Sequence, residues 1–361
     1  MKKLIFLFTM VLAVSMAMAQ TNNTSEVSQS GVKQTATVDQ LGMGDNTSYV
    51  IQANASNIAT VSQINPIFDG SIDEDDNLST VLQTGTKNKA TVTQTHNRGY
   101  KDYPASGGLL EAVIEQSGNN NEAEQIQGPH NQMGESLAST LQSGNGNYAL
   151  QHQLKYKNNA YIVQSGDRNI AMQAQDTELP EDGSANFASI NQSGNNNDAR
   201  QEQQGWSNGA IAEQLGSGNT SLQHQENNSW KSNASVLQVG NNNDAFQTSV
   251  GNLNDALIEQ HSSGNTAKQY QTSGNVRPDG YGYDYPALND ARVYQLGGNS
   301  NEAIQTQENM EGNVSNFALI WQNGRNNFAT QTQFEGFNTS TISQVGNGNI
   351  ANVMQNQVLV P

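Results

Sequence analysis

Five histidines and one acidic run are the side chains of this sequence best suited to metal binding or acid–base chemistry. His152 and His224 hold the same outward position in two units of the repeat described below, but these units are not adjacent, so the imidazoles are too far apart to share a metal ion. The run Asp73-Glu74-Asp75-Asp76 lacks the ligand spacing of a dedicated calcium loop and is typical of a solvated loop. The remaining histidines are His96, His130 and His261. We therefore predict no metal site.

Catalytic motifs are also missing from the sequence. No Ser/His/Asp order, pair of buried carboxylates or glycine-rich phosphate loop stands apart from the repeat. Ser-Gly-Asn sequences recur because each repeat unit needs a turn. We therefore expect neither catalysis nor a cofactor.

The residues from Asn186 to Gln203 represent the repeat unit that organises the chain. Two seven-residue arms of the form Asn-x-Ala-x-x-x-Gln are joined by four residues that include a glycine. Alternate residues of an extended chain share a face, so the first, third, fifth and seventh positions of each arm are predicted to point inward. In this unit and the preceding one, these positions hold Asn158, Ala160, Ile162, Gln164, Asn169, Ala171, Gln173, Gln175, Asn186, Ala188, Ile190, Gln192, Asn197, Ala199, Gln201 and Gln203.

Thirteen such units follow one another, with a shortest spacing of 22 residues. A glycine two residues after the first-arm glutamine predicts a tight turn inside most units, and Asn54 and Ser262 replace it in two. The glutamines that close the first arms are Gln29, Gln52, Gln83, Gln116, Gln142, Gln164, Gln192, Gln214, Gln238, Gln260, Gln295, Gln322 and Gln344. The long insertions all fall between units, in loops at 65–76, 95–109, 128–135, 176–185, 272–288 and 308–315.

This pattern predicts an all-β fold, a β-solenoid of about thirteen stacked strand-turn-strand repeats that form two facing parallel sheets. At the spacing of β-strands the column would be roughly 60 Å long. The fifth position is mostly aliphatic in first arms, whereas second arms carry glutamine there in the middle of the chain and valine at both ends. We therefore expect an aliphatic ladder facing an amide ladder, with small third-position residues between them.

Composition and charge restrict the class of protein. Only 34% of the 361 residues are hydrophobic, and the mean hydropathy is -0.67, so the fold must rest on polar ladders. Residues 1–19 resemble a signal peptide, which predicts a secreted chain. Removing Lys2 and Lys3 with this peptide takes the formal charge from -17 to -19, which argues against nucleic acid or an anionic membrane as partner. There are no cysteines, and we expect no membrane insertion.

Two insertions share a phrase, Asp102-Tyr103-Pro104-Ala105 and Asp284-Tyr285-Pro286-Ala287. Proline and aromatic residues could fold these loops back onto a sheet edge and protect it from pairing. The alternative is a surface patch for a partner or a glycan. The sequence leaves both interpretations open.

The pattern Gln-x-Gly-x-x-Asn-x-Ala-x-x-x-Gln closely resembles the curlin repeat, the strand-turn-strand unit of the subunits of curli, which are secreted bacterial amyloid fibres. The resemblance covers residues 25–355, between a short segment at 20–24 and a tail at 356–361. It implies a subunit that leaves the cell through an outer-membrane pore, meets a nucleator subunit and polymerises outside the cell. It also implies that the inward residues of each arm form the self-assembly ladder.

We therefore predict a structural subunit of an extracellular curli-like fibre that contributes to biofilm matrix and adhesion. Neither terminal segment is long enough to cap the column, so its two ends would be open for stacking. One alternative is a monomeric or surface-tethered adhesin or binding scaffold, and another is a minor nucleator subunit. The residues expected to meet when one subunit stacks on the next are Val27, Val38, Gln40, Ile342, Gln344, Val353 and Gln355.

Overall fold

The structure, a computed structural model, describes residues 23–42, 45–65, 76–96, 108–128, 135–155, 157–177, 185–273, 288–309 and 315–356. Over these residues the chain forms 26 strands joined by turns. None of this described part forms a helix long and apolar enough to cross a membrane. The signal-peptide region, the paired Tyr-Pro phrases, His130 and most of the predicted loops lie outside the described residues.

The strands form two parallel sheets of thirteen strands each, as the repeat predicts. The first sheet contains β1 (Thr24–Val32), β3 (Asn46–Ala55), β5 (Asp76–Thr86), β7 (Leu109–Asn119), β9 (Ser136–Asn145), β11 (Asn159–Asp167), β13 (Phe187–Ser193), β15 (Gly209–Leu215), β17 (Asn233–Val239), β19 (Asn254–His261), β21 (Asn289–Gly297), β23 (Asn316–Asn323) and β25 (Thr339–Val345). The second contains β2 (Thr35–Gly42), β4 (Ile58–Asn65), β6 (Lys89–Thr95), β8 (Glu122–Gln127), β10 (Tyr148–Lys155), β12 (Ile170–Thr177), β14 (Asp198–Trp206), β16 (Thr220–Trp230), β18 (Asp244–Val250), β20 (Thr266–Ser273), β22 (Glu302–Asn309), β24 (Phe328–Phe334) and β26 (Ile350–Asn356). We call the two strands of one repeat unit a rung and number the rungs 1 to 13 along the chain.

Equivalent residues of successive repeats pair in register. Ile162 pairs with Ile190 and Gln164 with Gln192 in the first sheet. The long insertion between rungs 10 and 11 does not disturb this register, since Gln260 still pairs with Gln295. A one-residue slip would turn the whole inward set toward solvent, so the inward pattern fixes the register.

Side-chain burial alternates along the strands, which confirms the predicted inward and outward faces. In β24 the inward positions are buried and the outward positions are half-buried. The buried aliphatic residues form two clusters, one of which ends at Ala212 in rung 8 while the other begins at Val236 in rung 9. Ala212 stands where most first arms carry isoleucine or valine, so the aliphatic ladder is interrupted at this level.

The turn inside each rung needs two residues with positive φ, whereas the sequence predicted one. Gly166 has a φ of 107°, and a Cβ there would collide with the carbonyl oxygen of Gly194 in the next rung. Two residues further on, Arg168 has a φ of 57° and Asn196, its equivalent in the next unit, has 56°. Glycine is favoured at the first position because a side chain there would meet the stacked backbone of the next rung, although Asn54 and Ser262 hold this position in two rungs. The second position is held by several residue types.

Candidate functional site: the amide ladders and the open ends

A continuous row of glutamine amides runs through the first sheet. Each first-arm glutamine donates a hydrogen bond from Nε2 to Oε1 of its equivalent in the next rung, at 2.7 to 2.9 Å. All of these bonds are donated toward the C-terminal end of the column. We call this row, from Gln29 to Gln344, the first amide ladder.

Inward glutamine amides of both sheets also tie the two sheets together. Gln164 in rung 6 donates its second N–H to the carbonyl oxygen of Tyr148 in rung 5, at 3.0 Å. Gln175 donates to the carbonyl oxygen of Asn159 within rung 6, at 3.2 Å. Because a primary amide has two N–H groups, one links successive rungs and the other links the sheets. Buried amides that would otherwise destabilise the core are thereby hydrogen-bonded.

Two further amide ladders run side by side in the second sheet. At the fifth position Gln173 donates to Gln201, and at the seventh position Gln175 donates to Gln203, each at 2.9 Å. The fifth-position ladder faces the aliphatic residues of the first arms, as the sequence predicts. Its amides are held by carbonyl oxygens of the first sheet, for example that of Tyr161, which lies 3.0 Å from Nε2 of Gln173.

The first glutamine of a second-sheet ladder has no glutamine in the preceding rung to donate a hydrogen bond to its Oε1 atom. Gln125 follows Val92 in the fifth-position ladder, and Gln271 follows Ser249 in the seventh-position ladder. The Oε1 atoms of both glutamines are buried and lack a hydrogen-bond partner among the described residues. A buried acceptor left in this state costs about 1–3 kcal/mol. The sequence pattern alone did not indicate these defects.

The asparagine at the first position of each second arm makes hydrogen bonds to the backbone of the turn that precedes it. Asn169 donates from Nδ2 to the carbonyl oxygens of Ser165, at 3.3 Å, and of Gly194 in the next rung, at 2.8 Å. Its Oδ1 accepts the backbone N–H of Asn197 at 3.0 Å. These bonds satisfy backbone groups that a tight turn would leave unpaired, which explains the asparagine at this position.

The inward residues of rungs 6 and 7 all lie in the interior between the two sheets, and none is more than 2% exposed. They are Asn158, Ala160, Ile162, Gln164, Asn169, Ala171, Gln173, Gln175, Asn186, Ala188, Ile190, Gln192, Asn197, Ala199, Gln201 and Gln203.

The two ends of the column expose the edges of these ladders. Val27 and Val38 in rung 1 are half-buried and pack against the first aliphatic cluster. In rung 13, Ile342 is buried while Val353 is half-buried against the second cluster. The inward positions of β26 are only half-buried throughout, whereas those of β24 are buried. Among the described residues, nothing covers the core at either end.

The two ends differ in hydrogen-bonding character. The first amide ladder begins at Gln29, whose Oε1 faces the N-terminal end with no described glutamine before it to donate. It ends at Gln344, whose Nε2 donates to the carbonyl oxygen of Phe328 at 2.9 Å and has no described glutamine ahead of it. Gln355 ends the seventh-position ladder in the same way, with Nε2 bonded to the carbonyl oxygen of Thr339 at 3.0 Å. The N-terminal end thus offers the amide acceptor of Gln29, and the C-terminal end offers the amide donors of Gln344 and Gln355.

The histidines predicted to lie outward are on the second sheet. Burial lowers the pKa of His152, against the opposing influence of Asp176 and Glu124. His224 lies between two carboxylates, with Glu226 Oε1 2.8 Å from Nδ1 and Glu202 Oε2 3.2 Å from Nε2. Within the described residues, no group of His, Asp and Glu side chains is arranged to hold a metal ion.

No protein-family model and no curated protein matches this sequence.

Proposed function

We propose that this protein is a structural subunit of an extracellular, curli-like amyloid fibre that grows when the C-terminal end of one subunit stacks on the N-terminal end of the next. The observation that carries the proposal is the common direction of the first amide ladder from Gln29 to Gln344. An N–H donor at one end meets a carbonyl acceptor at the other, so each addition continues the ladder without reversing it. Two like ends would place donor against donor or acceptor against acceptor.

The inward residues of the terminal rungs also match. Stacking in register places aliphatic on aliphatic, amide on amide and small on small residues, so the core continues across the joint. A glutamine in place of Val353 or Val38 would leave an amide against an apolar neighbour, at a cost of about 1–3 kcal/mol. The residues that meet are Ser340 and Ser25, Ile342 and Val27, Gln344 and Gln29, Val353 and Val38, and Gln355 and Gln40.

The remaining parts of the proposal follow from the resemblance to curlin repeats and from charge. The subunit is secreted, passes an outer-membrane pore and meets a nucleator before it joins fibres of a biofilm matrix that supports adhesion. The formal charge of -19 that remains once Lys2 and Lys3 are removed from the chain of -17 keeps unassembled subunits apart in solution until their ends meet. The partner that the geometry itself favours is another copy of this chain.

A charge placed at the C-terminal end tests this mechanism. We expect Val353→Asp to raise the critical concentration for assembly about ten-fold or more, because the joint would bury an unpaired carboxylate at a cost above about 1–3 kcal/mol. Asn352→Asp is the matched control, since Asn352 lies in the same strand but points outward and its side chain accepts a bond from Thr330 at 2.8 Å. Its critical concentration should stay close to that of the unmodified chain.

Seeded elongation, followed by thioflavin fluorescence with electron microscopy of the products, measures both variants. Equal critical concentrations for Val353→Asp and Asn352→Asp would contradict stacking through the terminal rungs. A purified mature chain that remains a monodisperse folded monomer would favour the adhesin or scaffold alternative. Activity only as a sub-stoichiometric seed for another subunit would favour a nucleator.

A further inference from the structure

The two sheets are offset along the column, so each strand of the first sheet lies between two strands of the second. Thr140 in β9 shows this offset directly. Its Oγ1 accepts a hydrogen bond from Nε2 of Gln125 in rung 4 at 3.2 Å, and donates one to Oε1 of Gln151 in rung 5 at 2.9 Å. An inward residue of the first sheet therefore packs against its own rung and against the rung before it.

Inward glutamines of both sheets span this offset. Gln153 in rung 5 donates to the carbonyl oxygen of Leu137 in its own rung at 3.0 Å, and to that of Asn158 in rung 6 at 2.8 Å. First-arm glutamines reach the preceding rung, as Gln52 in rung 2 does when it donates to the carbonyl oxygen of Thr35 in rung 1 at 3.1 Å. Each first-sheet strand is thus bonded to a second-sheet strand on either side of it.

At the C-terminal end the offset leaves β26 covered on one side only. β25 lies between β24 and β26, so Ile342 in it is only 5% exposed, whereas Val353 in β26 is half-buried. Among the described residues no first-sheet strand follows β25, so its open edge and the uncovered side of β26 form a step that is one strand wide. We call this step the C-terminal notch, and its inward residues are Ile342, Gln344, Val353 and Gln355.

The polar groups of the C-terminal notch match one further first arm. Gln355 donates to one carbonyl oxygen, that of Thr339, where Gln153 donates to two. Nε2 of Gln344 has no described glutamine ahead of it. In rungs 1 to 12 the carbonyl oxygen equivalent to that of Ile350 accepts from the first-arm glutamine of the next rung. A further first arm supplies all three partners, with a carbonyl oxygen at its first position and a glutamine at its seventh.

We propose that the C-terminal notch binds a single extended peptide strand, and that its occupant is β1 of a second copy of this chain. This inference rests on the proposed fibre, and it adds that the first strand of an arriving subunit binds without its second strand. The open edge of β25 offers backbone groups to a parallel strand, as β23 does to β25.

The inward residues of β1 fit the notch. In register on β25, Val27 lies against Val353, so an apolar residue meets an apolar residue. Gln29 accepts from Gln344 and donates to the carbonyl oxygen of Ile350. The single strand therefore gains side-chain contacts with both sheets as well as backbone pairing with one.

β2 carries similar inward residues but does not fit the notch. It continues the second sheet and would stack on β26, while its inward residues Ala36 and Val38 pack in the same cluster as Val27. Until β1 is in place, a strand on β26 has an edge to pair with but no facing strand. A second arm should therefore bind the C-terminal end more weakly than a first arm of equal length.

Two nine-residue peptides with blocked termini test the notch, one of residues 23–31 and one of residues 34–42. Fluorescence anisotropy of each labelled peptide with the folded monomer of the mature chain measures binding. The dissociation constant of the 23–31 peptide should be about ten-fold or more below that of the 34–42 peptide. Equal dissociation constants would overturn the proposed fit to a first arm.

Charged variants of the 23–31 peptide test the register. We expect Val27→Asp to weaken binding about ten-fold or more, because it places a carboxylate against Val353. Ser28→Asp is the matched control, since it adds the same charge at an outward position of β1 and should bind like the unmodified peptide. The protein is the same in these measurements, so a loss of binding does not come from misfolding.

The outcomes separate the notch from the fibre. Equal binding of the Val27→Asp and Ser28→Asp peptides, or no binding of the 23–31 peptide to a chain that forms filaments, would overturn the notch and leave end-to-end growth intact. Binding of this peptide by a chain that forms no filaments would support the notch and overturn the proposed function. Neither binding nor filaments would overturn both.

Discussion

Replacing Ser249 by glutamine should repair the one gap in the seventh-position amide ladder. Gln225 precedes this gap and donates to the carbonyl oxygen of Ser232 at 2.7 Å. Gln271 follows it, with a buried Oε1 that lacks a partner among the described residues. A glutamine at 249 would accept from Gln225 and donate to Gln271, as Gln203 donates to Gln225 at 2.9 Å. Gln225 and Gln271 therefore already supply the donor and the acceptor that a glutamine at position 249 needs.

The stability that Ser249→Gln is expected to gain is the difference between two opposing effects. Pairing the Oε1 of Gln271 removes a cost of about 1–3 kcal/mol. Fixing a new glutamine side chain loses up to about 2 kcal/mol of rotamer entropy, part of which the extra van der Waals contacts offset. We expect a net stabilisation of about 1 kcal/mol, equivalent to roughly five-fold slower exchange of the local amide hydrogens.

Hydrogen–deuterium exchange of folded monomer, read in peptides that cover β16, β18 and β20, measures this effect where it occurs. Ser249→Ala is the control, because it removes the Ser249 hydroxyl, which is itself buried and lacks a partner among the described residues, without supplying an amide. We expect it to slow exchange less than Ser249→Gln does, since the Oε1 of Gln271 stays unpaired. The ladder reasoning fails if exchange in Ser249→Gln is unchanged or faster, or if Ser249→Ala slows it as much.

Two further predictions concern charge, each measured by urea unfolding at several pH values. Burial, and after it Asp290 in the next rung, raise the pKa of Asp255, so the native chain gains stability as the pH falls through that raised pKa. Asp255→Asn should therefore be more stable than the native chain at pH 7, and this difference in stability should disappear in acid. A difference in stability that does not change with pH would refute the assignment. Burial lowers the pKa of His152, so the native chain loses stability as the pH falls below about 6.5. His152→Gln should lose less over this range, and equal losses would refute the assignment.

The fold could be predicted from the sequence because every level of the pattern agrees. Inward residues recur at a period of two inside an arm, and whole arms recur at a fixed spacing, so Gln164 could be expected to stack on Gln192. The long insertions did not weaken the prediction, since they fall between repeats.

Other features depend on geometry that a repeat pattern does not contain. The offset between the sheets decides that Gln164 reaches Tyr148 of the preceding rung, while Gln175 reaches Asn159 of its own rung. The second residue with positive φ is Asn or Gly in eight of the thirteen rungs but Lys, Arg or Ser in the other five, such as Arg168, so residue type alone does not mark it. The donor direction of the ladder likewise appears only once the amides are placed.

Cryo-electron microscopy of fibres grown from the mature chain tests the central claim, that subunits stack end to end in register. We expect thirteen rungs per subunit. At the spacing of stacked strands this gives an axial repeat of roughly 60 Å, with Gln344 of one subunit donating to Gln29 of the next. A non-polar filament, or a subunit repeat much shorter than the column, would contradict the account.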